Sequence, residues 1–286
     1  MDIHDKYVFG RDEVESKRLD LQHKLLVKVS ANTLIHPTIP TENIHAIADI
    51  ATGTGIWLED VSQFLNLTTP HIQRYYHGFD ISSEQFPTSN PESIHLSIHD
   101  LTVPFPTEHH NRYDLVHVRL LVAALEESEY RVAITNIYDI LKPGGHLQWE
   151  ELDSETYLTK DNNPVIEELY RCFDYGFRAE GKCFSASAKV YEESKMVGFV
   201  DVERVVYDSQ RFPELREDTE KRLVAIIRSL YVRLLVRSGQ VGSEEIARGR
   251  AEELVVRLGG LCEGGLASPG VKLMRVLGRR PLESLP

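Results

Sequence analysis

The chain has 286 residues, of which 42% are apolar and 27% charged, a composition that supplies a large buried core and argues against disorder. Its formal net charge is -12, so the backbone of a nucleic acid would be repelled. The three cysteines have no CxxC spacing, which indicates neither a disulfide framework nor a metal site and favours a reducing compartment, the cytosol or nucleus. We therefore expect a cytoplasmic protein.

The first predicted element is an N-terminal helix over residues 13–34, where apolar residues recur at helical spacing before His36 and Pro37. The preceding residues are charged, and no later stretch approaches about 18 consecutive apolar residues, so we expect neither a signal peptide nor a membrane span. Residues 1–43 are accordingly predicted to form a helical cap, and residues 44–286 a single core.

Strands and helices are predicted to alternate along this core. Helices are predicted over residues 56–65, 127–141 and 165–177, and the predicted strands are 44–51, 75–82, 94–101, 112–121, 146–153, 199–207 and 271–281. This order demands an α/β fold with a mostly parallel, doubly wound, Rossmann-like sheet of seven strands. Two further helices, 217–237 and 243–258, form a helical insertion at about 210–260, between strands six and seven. That insertion is either a lid over a ligand cleft or a plain packing pair.

A glycine-rich turn, TGTG at Thr52 to Gly55, stands directly between the first strand and the first core helix. In this context the backbone can approach a nucleotide-like ligand closely, although an ordinary strand-to-helix turn is the alternative. A dinucleotide site would need GxGxxG, and Ala51 and Leu58 occupy its first and last glycine positions, which disfavours NAD. Asp49, inside the strand, is expected to orient the turn or, through water, a cationic amino group.

Two aspartates end the second and third predicted strands. Asp80 can accept both hydroxyl hydrogens of a ribose, whereas Asp100 can accept an adenine amino hydrogen while Leu101 supplies its backbone amide and an apolar contact. Alone, either aspartate is more often a solvated strand-end cap or a turn former. Together with the glycines, in this order, they predict a nucleoside site.

The segments IADIATGTGIW, GFDIS, HDL, YDLVHVRLL and LKPGGHLQWEELD resemble the successive motifs of class I S-adenosylmethionine-dependent methyltransferases. The N-terminal YVFGRDEVESKRLDLQH, the WEELD of strand five and the terminal LGRRP are similar to a large set of fungal methyltransferases of secondary metabolism. The resemblance implies S-adenosyl-L-methionine as the cofactor and methyl transfer as the activity. At Ala51 this chain departs from the commoner glycine.

The resemblance also implies roles for individual residues. The methionine portion of the cofactor would lie along Asp49, Gly53 and Gly55, the ribose at Asp80 and the neighbouring Ile81, and the adenine at Asp100 and Leu101. The N-terminal helix would fold over the cofactor, with Tyr7, Arg18 and Gln22 closing the pocket. Arg18 would pair with the methionine carboxylate, or else belong to a solvated helix face.

Strands four and five end in further candidates. Arg119 is expected near the methyl sulfur or its carboxylate neighbours, and His117, on the same strand face, is either a base or a packed core residue. Strand alternation places Trp149 and Glu151 on one face and Glu150 on the other. Our order of preference for a general base is Glu151, Glu150, His117, and Trp149 and Glu150 are expected in the substrate pocket. A helical group of aromatic residues either walls that pocket or belongs to the core: Tyr170, Phe173, Tyr175 and Phe177.

The predicted reaction is in-line methyl transfer to an oxygen, nitrogen or sulfur nucleophile of a small, partly apolar metabolite. Most of the rate enhancement would come from holding the nucleophile, the methyl carbon and the leaving sulfur in line. One alternative is a cofactor-binding regulator or partner subunit that transfers no methyl group. Another is a methyltransferase fold that catalyses a rearrangement, with the sulfonium as an electrostatic catalyst. The expected partner is a small-molecule acceptor rather than nucleic acid or membrane, and a homodimer is one candidate assembly.

Overall fold

The chain was studied as a computed structural model that describes residues 11–89, 91, 93–152 and 163–282. Helix α1 spans Glu13–Val29, and the Asp12 carboxylate caps it by accepting from the Glu15 amide at 2.8 Å. The helix ends five residues earlier than predicted, because Ala31 and Asn32 adopt left-handed φ values of 56° and 60°.

Seven strands form one sheet: β1 Ala46–Ile50, β2 Tyr75–Asp80, β3 Ile94–Ile98, β4 Tyr113–Arg119, β5 Leu141–Leu152, β6 Val200–Asp208 and β7 Lys272–Arg279. Their order in the sheet is β3-β2-β1-β4-β5-β7-β6. Strands β1 to β5 are mutually parallel, and β7 runs antiparallel to both of its neighbours. The predicted Rossmann-like sheet is confirmed, and its strand order reverses between β1 and β4, where open α/β sheets bind their ligands.

Helices follow the strands as the sequence indicates: α2 Ile56–Thr68, α3 Tyr130–Ile140, α4 Pro164–Ala179, α5 Ala186–Val197, α6 Arg216–Ile226, α7 Val232–Arg237 and α8 Glu244–Glu263. The helical insertion between β6 and β7 is confirmed, and it contains α6 to α8, with a π-helical turn at Ile227–Tyr231 between α6 and α7. Helix α5 was absent from the sequence prediction.

The chain has a sheet core and a separate helical core. All five residues of β1 are buried, as expected for a central strand with both faces covered. The insertion does not pack on the sheet alone: Leu223, Ile227 and Leu234 join Phe173 of α4 and Leu254 of α8 in one buried cluster. This helical core fixes the orientation of α6 relative to α4.

Strand β5 begins earlier than predicted. The KPGG segment, which precedes the strand predicted from residue 146, belongs to β5, and the pairing with β4 shifts register between Tyr113 and Leu115. Gly144 has a φ of 83°, which a residue with a side chain would adopt only at a cost. Among the described helices none is long and apolar enough to cross a membrane.

Candidate active site

A cavity of about 200 Å³ opens where β1, β2 and β4 end, at the reversal of strand order. Residues of α1 form one wall, and the turns after β1 to β4 form the floor. The remaining wall comes from residues 120–125, which we call the β4 loop, and from α6. The cavity therefore joins the N-terminal helix, the sheet and the insertion in one site.

The TGTG turn forms the part of the floor next to β1. Ala51, Gly53 and Gly55 have φ values of 58°, 55° and 75°, so every second residue here is left-handed. Asp49 fixes the turn, because its Oδ2 accepts from the Thr52 hydroxyl at 2.7 Å. The backbone conformation also accounts for the commoner glycine at position 51, since an alanine in that region carries strain of roughly 1 kcal/mol.

The Asp80 carboxylate lies beside this turn and lines the cavity together with Ile81. Its Oδ2 accepts from the Gly53 amide at 2.8 Å, and its Oδ1 from the Ser82 amide at 3.3 Å. Burial raises the pKa of this carboxyl, and this effect outweighs the lowering of the pKa by its backbone donors. A carboxylate has about four acceptor positions, so Asp80 can accept from a ligand hydroxyl in addition to its backbone donors.

Asp100 and Leu101 line the neighbouring part of the cavity, two residues beyond the end of β3. The Asp100 Oδ1 accepts from the amide and the hydroxyl of Thr102, at 2.8 and 2.7 Å. Leu101 is buried, and its carbonyl accepts from Asn136 Nδ2 at 2.7 Å. An apolar side chain beside an oriented carboxylate fits an adenine ring with its amino group.

Helix α1 packs against the glycine turn. Its Asp20 accepts from the Thr54 hydroxyl at 2.8 Å, and a Cβ on Gly53 would lie 3.3 Å from Leu19 Cδ1. Arg18 and Gln22, both candidates from the resemblance, line the cavity. The guanidinium of Arg18 is also forked onto Glu15 within the helix, at 2.8 and 2.7 Å. Tyr7, the remaining candidate on this segment, lies outside the described residues.

Arg119, at the end of β4, lines the cavity and also contacts His23 of α1. Its Nη2 lies 3.0 Å from His23 Nδ1, and His23 Nε2 lies 2.8 Å from Asp60 Oδ2. A guanidinium can only donate, so His23 Nδ1 accepts and His23 Nε2 carries the proton. Burial, followed by the charge of Arg119, lowers the pKa of His23 and keeps it neutral.

His117 lines the cavity but is nearly enclosed by protein, with 1% of its surface exposed. Its ring stacks on Trp57, with centroids 3.7 Å apart and planes 4° from parallel. Its Nδ1 lies 2.7 Å from Asp49 Oδ1, and its Nε2 lies 3.7 Å from Glu150 Oε2. This geometry matches the packed-residue interpretation of His117 more closely than that of a base open to substrate.

Glu150 does not line the cavity. Its carboxylate is 3% exposed and lies 2.7 Å from the guanidinium of Arg275, itself 1% exposed on β7. Burial alone would raise the pKa of Glu150, but the positive charges around it hold the pKa well below its usual range. The arrangement is that of a buried ion pair between neighbouring strands.

Glu151 and Trp149 share the opposite face of β5, as predicted from alternation, and they too lie behind the cavity wall. Glu151 Oε1 accepts from Trp149 Nε1 at 2.9 Å and from the Leu121 amide at 2.8 Å. Burial raises the pKa of Glu151 to about 7. Trp149 packs on Tyr130, with ring centroids 6.0 Å apart. Glu151 therefore holds the β4 loop, whose residues do line the cavity.

Sequence reasoning missed the wall opposite the cofactor residues. It consists of the β4 loop, Leu152 of β5, and one face of the insertion: Arg222, Ile226 and Leu230. The apolar run LLVAAL directly after β4 was a usable signal for the loop, since ligand sites gather at strand ends. The aromatic residues of α4 do not line the cavity. Phe173 and Phe177 lie in the helical core, and Tyr175 is 54% exposed.

No family model matches this chain. A curated relative, the methyltransferase grgD of a Penicillium species, is 32% identical over 247 residues, which is 84% of this chain and 85% of the relative. The chain belongs to the class I S-adenosylmethionine-dependent methyltransferases. Within that family its relatives are fungal methyltransferases of secondary metabolism.

Two further relatives cover less of the chain. The N-methyltransferase gliN of Aspergillus fumigatus is 31% identical over 59% of this chain and 58% of its own length. The secondary metabolism regulator LAE1 of Hypocrea atroviridis is 25% identical over 74% of this chain and 56% of its own length. A solved S-adenosylmethionine-dependent methyltransferase from Methanosarcina mazei has a TM-score of 0.50 at 12% identity, and covers 87% of this chain and 99% of its own, which supports the fold alone.

The residues of the cavity floor fit the donor of this methyltransferase family. Asp80 and Asp100 both line the cavity, Asp100 is next to the apolar Leu101, and the left-handed turn between β1 and α2 lets the backbone approach a ligand closely. We call this floor, with the α1 residues above it, the donor half. The wall missed by sequence reasoning is the acceptor half.

Proposed function

We propose that this methyltransferase moves the methyl group of S-adenosylmethionine to a small, partly apolar metabolite bound in the acceptor half of the cavity. The observation that carries the proposal is the continuity of the two halves: one cavity contains both Asp80 and Asp100 of the donor half and the β4 loop and α6 of the acceptor half. A protein that only binds the donor needs the first half alone.

The bound donor would supply a methyl group already activated by its sulfonium. The residues of this chain then act mainly by placement, since aligned reactants gain several orders of magnitude in effective concentration. In this proposal Asp80, Asp100 and the glycine turn fix the donor. The β4 loop and α6 hold the acceptor atom in line with the methyl group.

We further propose nitrogen as the favoured acceptor atom among nitrogen, oxygen and sulfur. The support is the relative gliN, whose name is that of an N-methyltransferase. The insertion is proposed to serve as the lid, because α6 lines the cavity while its other face belongs to the helical core. A cytosolic location is supported by the three free thiols. The homodimer stays a prediction, to be checked by light scattering.

The regulator alternative has its own support in the 25% identity to LAE1. The two functions differ in the product. The protein should be incubated with S-[methyl-³H]adenosylmethionine and a metabolite extract of the source organism, and labelled products sought by mass as substrates plus one CH₂. Such a product supports the enzyme.

Binding of S-adenosylhomocysteine without any labelled product, across a broad extract, would favour the regulator. A change of substrate without gain of mass would favour the rearrangement catalyst. No binding of either cofactor form in calorimetry would contradict the whole proposal.

A further inference from the structure

Four arginines from different elements line the cavity: Arg11, Arg18, Arg119 and Arg222. Arg119 comes from the sheet itself, as the last residue of β4, and its side chain is 15% exposed. Within the described part of the chain, the hydrogen bond that holds its guanidinium goes to the neutral ring of His23. Glu150, 3.9 Å away, is already paired with Arg275 at 2.7 Å. A positive charge held by an uncharged acceptor at a cavity wall suits an anionic ligand.

The strand order indicates which ligand group Arg119 meets. The sheet runs β3-β2-β1-β4, so Asp100, Asp80, the glycine turn and Arg119 follow one another across the cavity. Asp100 and Asp80 fit the adenine and the ribose, which leaves the turn and the end of β4 for the methionine portion of the donor. The parallel register of β1 and β4 brings Arg119 level with Ala51, where the turn begins. The anionic group of the methionine portion is its carboxylate.

Arg119 is the inner member of a hydrogen-bonded series of three side chains from three elements. Its Nη2 donates to His23 Nδ1 of α1 at 3.0 Å, and His23 Nε2 donates to Asp60 Oδ2 of α2 at 2.8 Å. The His23 side chain is fully buried and that of Asp60 is 43% exposed, so the series leads from solvent to the cavity. Asp60 fixes the tautomer, because a proton held on Nε2 leaves the lone pair of Nδ1 for Arg119.

We propose that His23 and Asp60 are positioning residues for the donor, and that they hold the guanidinium of Arg119 where it binds the methionine carboxylate. The inference rests on the proposed function, because it takes the donor half as the cofactor site. Neither His23 nor Asp60 lines the cavity, so both act through Arg119. An arginine side chain has many rotamers, and a guanidinium that is already oriented loses less conformational entropy when the ligand binds.

The test compares two ligands that differ by the carboxylate alone: S-adenosylhomocysteine and its decarboxylated form, S-adenosyl-3-thiopropylamine. Both are titrated by calorimetry against the full chain, the weaker one by displacement. We expect the wild type to prefer S-adenosylhomocysteine by at least about tenfold, as hydrogen bonds to a charged group predict. Arg119→Gln and His23→Leu should each reduce this preference to about threefold or less. Neither variant should bind the decarboxylated form more weakly than the wild type does.

Further variants separate positioning from folding. His23→Asn places a neutral acceptor near the position of Nδ1, so it should keep most of the preference that His23→Leu loses. Asp60→Ala removes the partner of His23 Nε2 and should lower the preference by about threefold. The matched control is Glu59→Ala, which removes an exposed carboxylate one residue away and should leave the preference unchanged. If His23→Leu does not fold, Asp60→Ala takes its place in the test.

A double variant shows whether His23 acts through Arg119. A positioning residue has no effect on carboxylate recognition once the group that it positions is gone. Adding His23→Leu to Arg119→Gln should therefore change the remaining preference by less than about twofold. Independent effects of the two substitutions would overturn the inference.

The other outcomes are distinguishable. If S-adenosylhomocysteine does not bind the wild type, the proposed function fails and the inference fails with it. If it binds, but no more tightly than its decarboxylated form, or if His23→Leu and Asp60→Ala keep the wild-type preference, the inference is overturned while the proposed function stands. Loss of the preference in Arg18→Gln with its retention in Arg119→Gln also overturns the inference, because Arg18 would then hold the carboxylate.

Discussion

The backbone amide of Gly53 donates to Asp80 Oδ2 at 2.8 Å, so the glycine turn after β1 and the carboxylate at the end of β2 form one unit. The sequence separates these residues by a whole helix. Because of this contact, we expect a change at Asp80 to act both on the proposed ribose site and on the glycine turn.

Replacement of Asp80 should weaken the binding of both cofactor forms. In Asp80→Ala the ribose hydroxyls and the Gly53 amide lose their acceptor, which we expect to cost about 1–3 kcal/mol, or roughly tenfold to a hundredfold in affinity. Calorimetry with S-adenosylmethionine and S-adenosylhomocysteine measures it. The control is Glu84→Ala, an exposed carboxylate in the same segment. Unchanged affinity in Asp80→Ala would contradict the assignment of the ribose site.

Glu150 should matter for stability. In Glu150→Ala the guanidinium of Arg275 stays buried without its carboxylate, and we expect the free energy of unfolding to fall by about 3–5 kcal/mol in urea titrations. The comparison is Asp201→Ala, which breaks the exposed pair with Arg279 and should cost no more than about 1 kcal/mol. A fully stable Glu150→Ala protein that had lost only its activity would instead restore Glu150 as the general base.

Glu151 should make the fold less stable as the pH rises. Burial raises its pKa from 4.5 to about 7, so the folded protein holds a proton that the unfolded chain releases. The stabilisation is complete below pH 4.5 and is lost as the pH approaches 7, by about 3 kcal/mol at most. Glu151→Gln, which cannot titrate, should lack this part of the slope when unfolding is measured from pH 5 to 8. Parallel pH profiles of the two proteins would refute the prediction.

His77 should make the fold less stable as the pH falls, which is opposite to the effect of Glu151. It stacks on Phe79 and contacts the hydroxyl of Ser97 at 2.8 Å, and burial is the main cause that lowers its pKa to about 3. The unfolded chain therefore takes up a proton first, and the fold loses about 2 kcal/mol between pH 6.5 and 5. His77→Asn should flatten this acid limb of the unfolding profile. The exposed His71, changed to Gln, should leave the limb as in the wild type.

The sheet could be predicted from the sequence because its signals are local. Strand β1 is a buried apolar run that stops at a glycine turn, and Asp80 closes β2 as its alternation indicated. Helix α5 gave no such signal. Four of its five buried positions are Ala186, Ser187, Glu193 and Ser194, so it shows no apolar stripe.

The floor of the donor half was predictable for the same reason, since Asp80 ends β2, the glycine turn follows β1, and Asp100 lies two residues beyond β3. The acceptor half was not, because Arg222 belongs to a helix rich in charge, and only tertiary packing decides which of its charged residues face the cavity. Likewise, alternation correctly separated Glu150 from Glu151. It gave no information on the partner strand, β7, whose Arg275 holds Glu150 in the core.

Helix α1 lies outside the sheet, yet it supplies Arg18, Leu19 and Gln22 to the donor half and is tied to the turn through Asp20 and Thr54. Docking of this helix and binding of the donor are therefore coupled. The coupling free energy is the same in both directions, so each must strengthen the other to the same extent. Occupancy would then slow amide exchange along α1 well away from any transferred atom. Helix α1 is thus a thermodynamic reporter of whether the donor half is occupied.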